Sequence, residues 1–392
     1  MEGSDLIGEE SAGALQQVRT LRNLIEASAQ AHEGSSQLGD DVLDALDQSD
    51  IFGLMAPREL GGGEADPQAL IDVIRELSYY DGSTGWYCGA VMTAAAVAGA
   101  FLGDRAVEAI FAKGKPRCAG QAAPLGKAQR EGDGYRLSGR FSFGSGSPSA
   151  DWLVGGYILH EDGRPVLSET GHPRMMIAMV PRAKVEFLGN WEVLGLRGTG
   201  SYDFKVLDQV IHEDFAFFPD TPVARRGGAL YRMGFMAIPC LTHAAFAVGC
   251  TRRAVDEWAD FLRTKPRPPR GQANELHTQQ YSLATAEGEL RAAEAYARST
   301  FASLYDAAER GPVPETLKVD GRLCASHALR VGTQVAQAGF TACSTAVLRN
   351  GNRLQRAYRD MQAGNAHFMT GEQSLLDVGG VLAGTPGAFL AF

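Results

Sequence analysis

The chain has 392 residues, a formal net charge of −9 at pH 7 and 45% hydrophobic residues. This length exceeds the usual size of one compact domain, so we expect two or three packed subdomains. Basic residues are scattered, and the densest basic stretch, residues 263–270, is short and broken by prolines. Because phosphate binding needs a concentrated basic face, we expect no nucleic-acid partner.

Cysteine usage and the N-terminus indicate a cytoplasmic protein. The six cysteines are widely spaced and form neither a CxxC pair nor a cluster with histidines. This pattern predicts reduced, mostly buried thiols and no metal site. The N-terminus lacks the charged-then-apolar pattern of a signal peptide. The longest apolar run, 91–102, is too short to span a bilayer, so we expect no membrane partner.

The first part of the chain has apolar residues at helical spacing, which predicts an N-terminal helical domain over residues 1–114. Near its end, the segment 81–84 opens an alanine-rich helix. Either Ser83 or Thr84 is the expected N-cap, since hydroxyl side chains favour that position. The run 91–102 lies within this helix, so we expect the helix to be buried.

The central and C-terminal parts of the chain have different patterns. Residues 115–226 contain short alternating segments between Gly, Pro and Asp clusters, which predicts a compact β domain. The alternating segments are 135–138, 152–159, 175–180 and 185–188. Helical spacing returns over 227–392, with helices expected at 245–262, at 280–310, from 315 to about 348 and from 354 to about 368. The fold class is therefore α+β, mainly α, with the β domain between two helical regions.

Three segments are candidates for a ligand site. The sequence lacks GxGxxG and GxxxxGK[ST], so no nicotinamide-binding Rossmann unit is indicated. The candidates are a Gly/Ser-dense loop at 139–152, a turn at 191–204 and the segment 354–367. Taken singly, they are typical of a hairpin, a turn, and a helix with an Arg356–Asp360 pair and a terminal His367.

Together, these segments and their flanking architecture resemble the acyl-CoA dehydrogenase superfamily, over about residues 15–380. The resemblance implies a helical N-terminal domain, a central β-barrel or sandwich domain and a C-terminal four-helix bundle. It implies that Phe143 packs against a flavin and that Ser145 lies near flavin N5. It also implies that a turn with Thr199 and Ser201 contacts the cofactor.

One departure from the superfamily pattern indicates the branch. Where acyl-CoA dehydrogenases carry a glutamate base, the aligned residue is Phe368, preceded by His367, and an apolar ring cannot abstract a proton. The segment 351–367 instead resembles the two-component flavin monooxygenases, which include phenol-type and 3-hydroxy-secosteroid hydroxylases. The segment 83–86 also matches this branch, although many members have a pocket histidine where Ala94 stands here.

This resemblance implies a hydroxylase that takes reduced flavin, FMNH₂ or FADH₂, from a separate reductase and uses O₂. His367 would be the base that withdraws the hydroxyl proton of a small, phenolic substrate, and Ser145 would hold the N5 proton. Trp86 and Phe143 would wall the pocket by stacking. Arg267 would contact a flavin phosphate. A homotetramer is the usual assembly in the superfamily.

Two other hypotheses stay open from the sequence. The first is an acyl-CoA dehydrogenase with tightly bound FAD and a relocated base, which would bleach anaerobically with an acyl-CoA. The second is a non-catalytic flavin-binding or scaffold protein. His243 lies in a helical apolar stretch and is interpreted as a packing group. The substrate and the choice between FMN and FAD are not specified by the sequence.

Overall fold

The computed structural model describes residues 13–169, 171–221, 223–266 and 272–385. A helical stretch over 13–20 begins the described chain. The helices that follow before the sheet are α1 (Arg22–Ser35), α2 (Asp40–Gln48), α3 (Pro67–Tyr80), α4 (Gly82–Phe101) and α5 (Asp104–Ile110). The predicted helical character of this region is confirmed.

Helix α4 is the alanine-rich helix, and its N-cap differs from the predicted one. Asp81 caps it, because its side chain accepts hydrogen bonds from the backbone N–H of Thr84 at 2.9 Å and from the Thr84 hydroxyl at 2.8 Å. The expected caps, Ser83 and Thr84, both lie inside the helix. Helix α4 is long and apolar enough to cross a membrane. However, 83% of its most apolar stretch is buried inside the fold. The predicted buried helix is confirmed.

The central region forms one sheet. Its strands are β1 (Cys118–Glu131), β2 (Gly134–Gly144), β3 (Trp152–Glu161), β4 (Arg164–Pro165), β5 (Met175–Pro181), β6 (Val185–Phe187), β7 (Tyr202–His212) and β8 (Ala216–Phe217). Their order is β6-β7-β2-β1-β3-β5-β8, with β4 beside β3. The β1–β3 pair is parallel and the other neighbours are antiparallel. Aromatic and aliphatic side chains, including Phe141, Tyr157 and Phe204, form a separate core here.

The C-terminal region is helical. Its helices are α6 (Ala229–Arg232), α7 (Ala237–Thr264), α8 (His277–Arg310), α9 (Glu315–Cys343), α10 (Arg353–Asn365) and α11 (Glu372–Leu382). Helix α9 packs against α7, α8 and α10, which builds the expected bundle. Helices from before and after the sheet share one hydrophobic core, so the two helical regions pack directly on each other.

Two predicted helix ends are wrong. Helix α9 ends at Cys343, before its predicted end near residue 348. The residues that follow, Ser344–Val347, form a short 3₁₀ turn. Helix α10 ends at Asn365, because the N–H groups of Ala366 and His367 bond to carbonyls three residues back and tighten the last turn. His367 therefore lies in a turn outside the helix. Helix α11, which follows this turn, is not predicted by the sequence.

Candidate active site

A cavity lies between α4, the sheet, α7 and the turn that follows α10. It has an empty volume of about 1040 Å³, which includes its open mouth. Most of its lining is apolar, as in other small-molecule sites. Its polar side chains are Thr93, Gln121, Ser145, Thr242, His243 and His367. Four of the predicted site residues meet here: Trp86, Phe143, Ser145 and His367.

Trp86 connects the sheet to both histidines of the cavity. Its indole Nε1–H donates to Ser145 Oγ at 3.1 Å. Its ring meets the rings of His243 and His367 edge-on, with centroid distances of 4.7 Å and 5.6 Å. The same ring packs on Phe246 at 5.0 Å. This packing leaves the indole little freedom to rotate, so it forms a fixed wall of the cavity.

A chain of three hydroxyls orients Ser145. Thr199 Oγ1 donates to the Leu196 carbonyl at 2.8 Å, so it accepts the hydrogen of Ser201 Oγ at 2.6 Å. Ser201 Oγ in turn accepts from Ser145 Oγ at 2.8 Å, because each hydroxyl has only one hydrogen. A hydroxyl has two acceptor lone pairs, and Trp86 occupies one on Ser145. Ser145 therefore retains one acceptor position at the cavity.

The other predicted cofactor residues have different locations. Thr199 and Ser201 are buried behind Ser145 and do not belong to the cavity lining. They fix the direction of the Ser145 hydroxyl and do not themselves face the cavity. Arg267, the predicted phosphate contact, lies outside the described residues.

Phe143 lies near the end of β2 and lines the cavity with 61% of its surface exposed. Its backbone φ is +63°, which is uncommon for a residue other than glycine. The ring meets Trp191 edge-on at 6.0 Å. Two residues later, Ser145 forms an isolated antiparallel bridge with Gly120 of β1. An exposed ring beside a hydrogen-bond acceptor is suited to stack on a planar, polar-edged ligand.

The turn that carries the hydroxyl chain joins the sheet to both helical regions. The Leu196 N–H donates to Asp360 Oδ1 of α10 at 2.6 Å. The Gly198 N–H donates to Ser83 Oγ of α4 at 3.1 Å. These bonds hold the turn, and through it Ser145, at a fixed position relative to the bundle.

Asp360 does not form the predicted pair with Arg356. The Arg356 Nε lies 3.3 Å from Glu33 Oε2 instead, since Asp360 points toward the turn. Burial, and after it the neighbouring Asp81 carboxylate, raise the pKa of Asp360 to about 7, although the hydrogen bond from Leu196 acts to lower this pKa. Asp360 is therefore a structural acceptor between domains, outside the cavity lining.

Two imidazoles face the cavity, and the sequence predicts only one of them as functional. His367 comes from the turn after α10 and His243 from α7, and their ring centroids are 4.6 Å apart. Burial lowers the pKa of His243 to about 4. Burial, together with the nearby His243, holds the pKa of His367 well below its ordinary value. Both rings are therefore neutral near pH 7, and His243 has more than the predicted packing role available to it.

The described residues that line the cavity carry no charge, because none of them is Asp, Glu, Lys or Arg. Phe368, at the position of the dehydrogenase base, also lines it. Thr93 Oγ1 is buried and has no hydrogen-bond partner among the described residues. A ligand hydroxyl, carbonyl or ring N–H would satisfy this atom, whereas an ionised ligand group would find no counter-charge in this part of the structure.

These residues fit a reduced flavin. Reduced flavin carries a hydrogen on N5, and the acceptor position left on Ser145 Oγ is complementary to such a donor. The exposed Phe143 ring provides a stacking surface beside it. The site therefore suits a flavin, and its described lining lacks the carboxylate base of an acyl-CoA dehydrogenase.

Comparison with known proteins gives the same class. Residues 241–372 match the family "Acyl-CoA dehydrogenase, C-terminal domain". The chain is 27% identical over 375 residues to indole-3-acetate monooxygenase of Pseudomonas putida, covering 94% of this chain and 91% of that protein. It is 26% identical over 364 residues to the flavin-dependent monooxygenase oxygenase subunit HsaA of Rhodococcus jostii, covering 90% and 93%.

A solved structure agrees with these sequence relatives. The fold matches the crystal structure of 3-HSA hydroxylase from Rhodococcus sp. RHA1 with a TM-score of 0.87 and 25% identity, covering 95% of this chain and 97% of that chain. The chain is therefore similar to the acyl-CoA dehydrogenase family in its C-terminal region and to flavin-dependent monooxygenases over nearly its whole length. It is an oxidoreductase that uses reduced flavin and O₂.

Proposed function

We propose that this enzyme hydroxylates a small, uncharged aromatic compound, most readily a phenol, with reduced flavin supplied by a separate reductase. The observation that carries the proposal is the cavity: an apolar space whose described lining has polar groups but no charge. Aromatic rings favour such a lining, and a single hydroxyl can bond to an imidazole without needing a counter-ion. The oxygenase-subunit relative from Rhodococcus jostii supports the need for a partner reductase.

The proposed roles follow from the contacts of each side chain. When bound, the reduced flavin supplies the electrons that activate O₂. Ser145 accepts the hydrogen of flavin N5, and Ser201 and Thr199 keep the Ser145 hydroxyl turned for this bond. Phe143 and Trp86 form apolar walls that exclude water from the reacting groups.

The catalytic residues in this proposal are Ser145 and His367. His367 lines the cavity and reaches the substrate hydroxyl through its ring. Arg267 is proposed as a phosphate contact for the flavin, because a guanidinium binds phosphate oxygens in a bidentate manner. These roles rest on placement in or near one cavity, apart from that of Arg267, which rests on the sequence.

The uncharged lining of the cavity should also favour neutral substrates over substrates that carry a carboxylate. The relative from Pseudomonas putida is named for indole-3-acetate, whose carboxylate would need a cationic partner when buried. The described lining offers no cation. We therefore propose that phenols and indole are better substrates than their acetate-bearing counterparts.

We further propose a cytoplasmic homotetramer. All six cysteines are buried thiols, which suits a reducing compartment. Leu375, Leu376 and Leu382 of α11 are exposed, and apolar side chains grouped on one helix favour contact with another copy.

The proposal is tested by turnover. The purified protein is supplied with a generic flavin reductase, NADH, O₂ and either FMN or FAD. Neutral phenols, indole, indole-3-acetate and phenylacetate are compared by mass spectrometry. We expect products one oxygen atom heavier from the neutral compounds, only when the reductase is present. Anaerobic bleaching by an acyl-CoA, or faster turnover of the carboxylates, would contradict the proposal.

A further inference from the structure

The two cavity histidines differ in which ring nitrogen is bound to backbone. His243 Nδ1 lies within hydrogen-bonding distance of the Pro239 carbonyl, one turn back in α7. A carbonyl oxygen can only accept, so Nδ1 of His243 carries the hydrogen. His367 Nδ1 instead accepts the backbone N–H of Met369 at 3.4 Å. Nδ1 of His367 is therefore without hydrogen.

These contacts fix complementary tautomers. A neutral imidazole has one N–H, and burial keeps both rings neutral, as their lowered pKa values require. Nε2 of His243 is consequently a hydrogen-bond acceptor, and Nε2 of His367 is a donor. With ring centroids 4.6 Å apart and both rings in the cavity lining, the pair of histidines offers one Nε2 acceptor and one Nε2 donor to the same cavity.

We infer that His243 is a further catalytic residue and that it, not His367, takes the substrate proton. The phenolic hydroxyl donates to His243 Nε2 and accepts from the Nε2–H of His367. As one oxygen atom of O₂ bonds to a ring carbon, the O–H bond breaks, the proton moves to His243 Nε2 and the electron pair shifts toward the ring, which leaves a dienone. The hydrogen on the oxygenated carbon then leaves as a proton, His243 returns its proton to the phenolic oxygen and the ring becomes aromatic again. The second oxygen atom ends as water, with the two electrons of the reduced flavin. This inference rests on the proposed phenol hydroxylation and changes the role of His367 from base to donor.

The neighbouring side chains favour this division of roles. The rings of Trp86 contact both imidazoles edge-on, which restricts how either can turn. Thr242, next to His243, donates its hydroxyl hydrogen to the Pro239 carbonyl at 3.0 Å, so it does not replace His367 as the donor to the substrate hydroxyl. No charged side chain of the described lining can take the proton in place of His243.

The tautomers are tested first, without flavin or turnover. Nitrogen-15 NMR of histidine-labelled protein separates Nδ1–H from Nε2–H rings, and the variants His243→Gln and His367→Gln assign the signals. We expect Nδ1–H for His243 and Nε2–H for His367. The opposite tautomer at either residue would overturn the inference whatever the enzyme hydroxylates.

Paired variants then test the roles. The amide nitrogen of glutamine lies near the position of imidazole Nε2, and that of asparagine near Nδ1. His367→Gln keeps a donor and should stay within about threefold of wild-type phenol hydroxylation, whereas His367→Asn should lose at least about tenfold. His243→Asn keeps the bond to Pro239 but has no acceptor at Nε2, and should also lose at least about tenfold, with O₂ released as hydrogen peroxide.

The two proposals fail in different ways. If His367→Gln is as poor as His367→Asn while His243→Asn keeps wild-type coupling of O₂ to product, His367 is the base and the inference is wrong. If the wild-type enzyme hydroxylates no phenol, the proposed function is wrong, and the NMR spectra still decide the tautomers. Thermal unfolding of each variant identifies any loss that is caused by misfolding.

Discussion

Ser145 is the only hydroxyl of the three-membered chain that lines the cavity, so its removal should affect chemistry more than stability. Ser145→Ala leaves the Trp86 N–H without its acceptor and removes the acceptor proposed for flavin N5. We expect the fraction of O₂ recovered as hydroxylated product to fall about tenfold, which corresponds to a lost hydrogen bond of about 1.5 kcal/mol. Product and hydrogen peroxide are measured per O₂ consumed.

The matched control for this change is Ser201→Ala. It removes the acceptor for the Ser145 hydrogen but leaves the Ser145 oxygen in the cavity. Its loss of coupling should therefore be smaller than that of Ser145→Ala. Equal losses in the two variants would mean that the hydroxyl chain, and not the Ser145 oxygen, determines the yield.

At the residue scale, the sequence motifs predicted which side chains share a cavity, and the roles of these side chains stay predictions. Trp86, Phe143, Ser145 and His367 were expected in one site, and the structure does bring them into one cavity. His243 could not be found in this way, because its position in α7 has no motif and only tertiary packing brings it to His367. Thr199 and Ser201 belong to a motif that is typical of ligand-binding turns. The sequence does not show which residues of such a turn line the cavity and which support the lining residues from behind.

The turn before β7 packs closely enough on α10 to require glycine. A Cβ on Gly195 would lie 2.0 Å from the backbone carbonyl oxygen of Arg359, which cannot move unless the helix moves. Gly195→Ala should push the turn away and lengthen the bond from Leu196 to Asp360. Overpacking of this kind costs about 1–3 kcal/mol, so we expect a lower urea midpoint together with weaker coupling of O₂ to product.

A second glycine provides the comparison for this element. Gly288 lies in α8, and a Cβ there would meet no atom within 4 Å. Gly288→Ala should leave the midpoint unchanged or stabilise the protein by about 0.5–1 kcal/mol, because alanine loses less backbone entropy in a helix. Identical midpoints for the two variants would show that the turn does not press on α10.

Element-level prediction was accurate in order and inaccurate at boundaries. The first three alternating segments lie in β2, β3 and β5, and the fourth covers β6 and the residue after it. Strand β1 is rich in alanine and glycine and pairs with β3 through register shifts, so it has no regular alternation to detect. Helix α10 ends early through a tightened last turn, which depends on backbone geometry and not on a glycine or proline signal. That early end is what moves His367 off the helix.

At the scale of the whole molecule, the sequence predicted three regions but not what joins them. Asp360 of α10 accepts from the turn of the sheet and lies near Asp81, which caps α4, so all three regions meet at one buried carboxyl group. Its raised pKa makes folding depend on pH. The folded protein keeps this proton up to about pH 7, whereas the unfolded chain releases it near its ordinary value of 3.8. This group alone therefore lowers stability as pH rises from about 4 to 7.

The histidines act in the opposite direction. His243 and His367 are neutral in the folded protein, and the unfolded chain binds protons there below its ordinary pKa of 6.5, so stability falls as pH drops from 6.5 toward about 4. The two effects overlap in wild-type protein and partly cancel. A single profile of stability against pH would therefore not separate them.

Asp360→Asn separates these contributions. The asparagine oxygen still accepts from Leu196, but the proton taken up on folding is gone. We expect the unfolding free energy of the variant, relative to wild type, to rise by up to about 1.4 kcal/mol per pH unit between pH 4 and 7 and then to level off. Urea titrations of both proteins at several pH values give this difference, in which all other groups cancel. A difference that stays constant with pH would mean that Asp360 is ionised in the folded protein and that the junction of the three regions holds a buried negative charge.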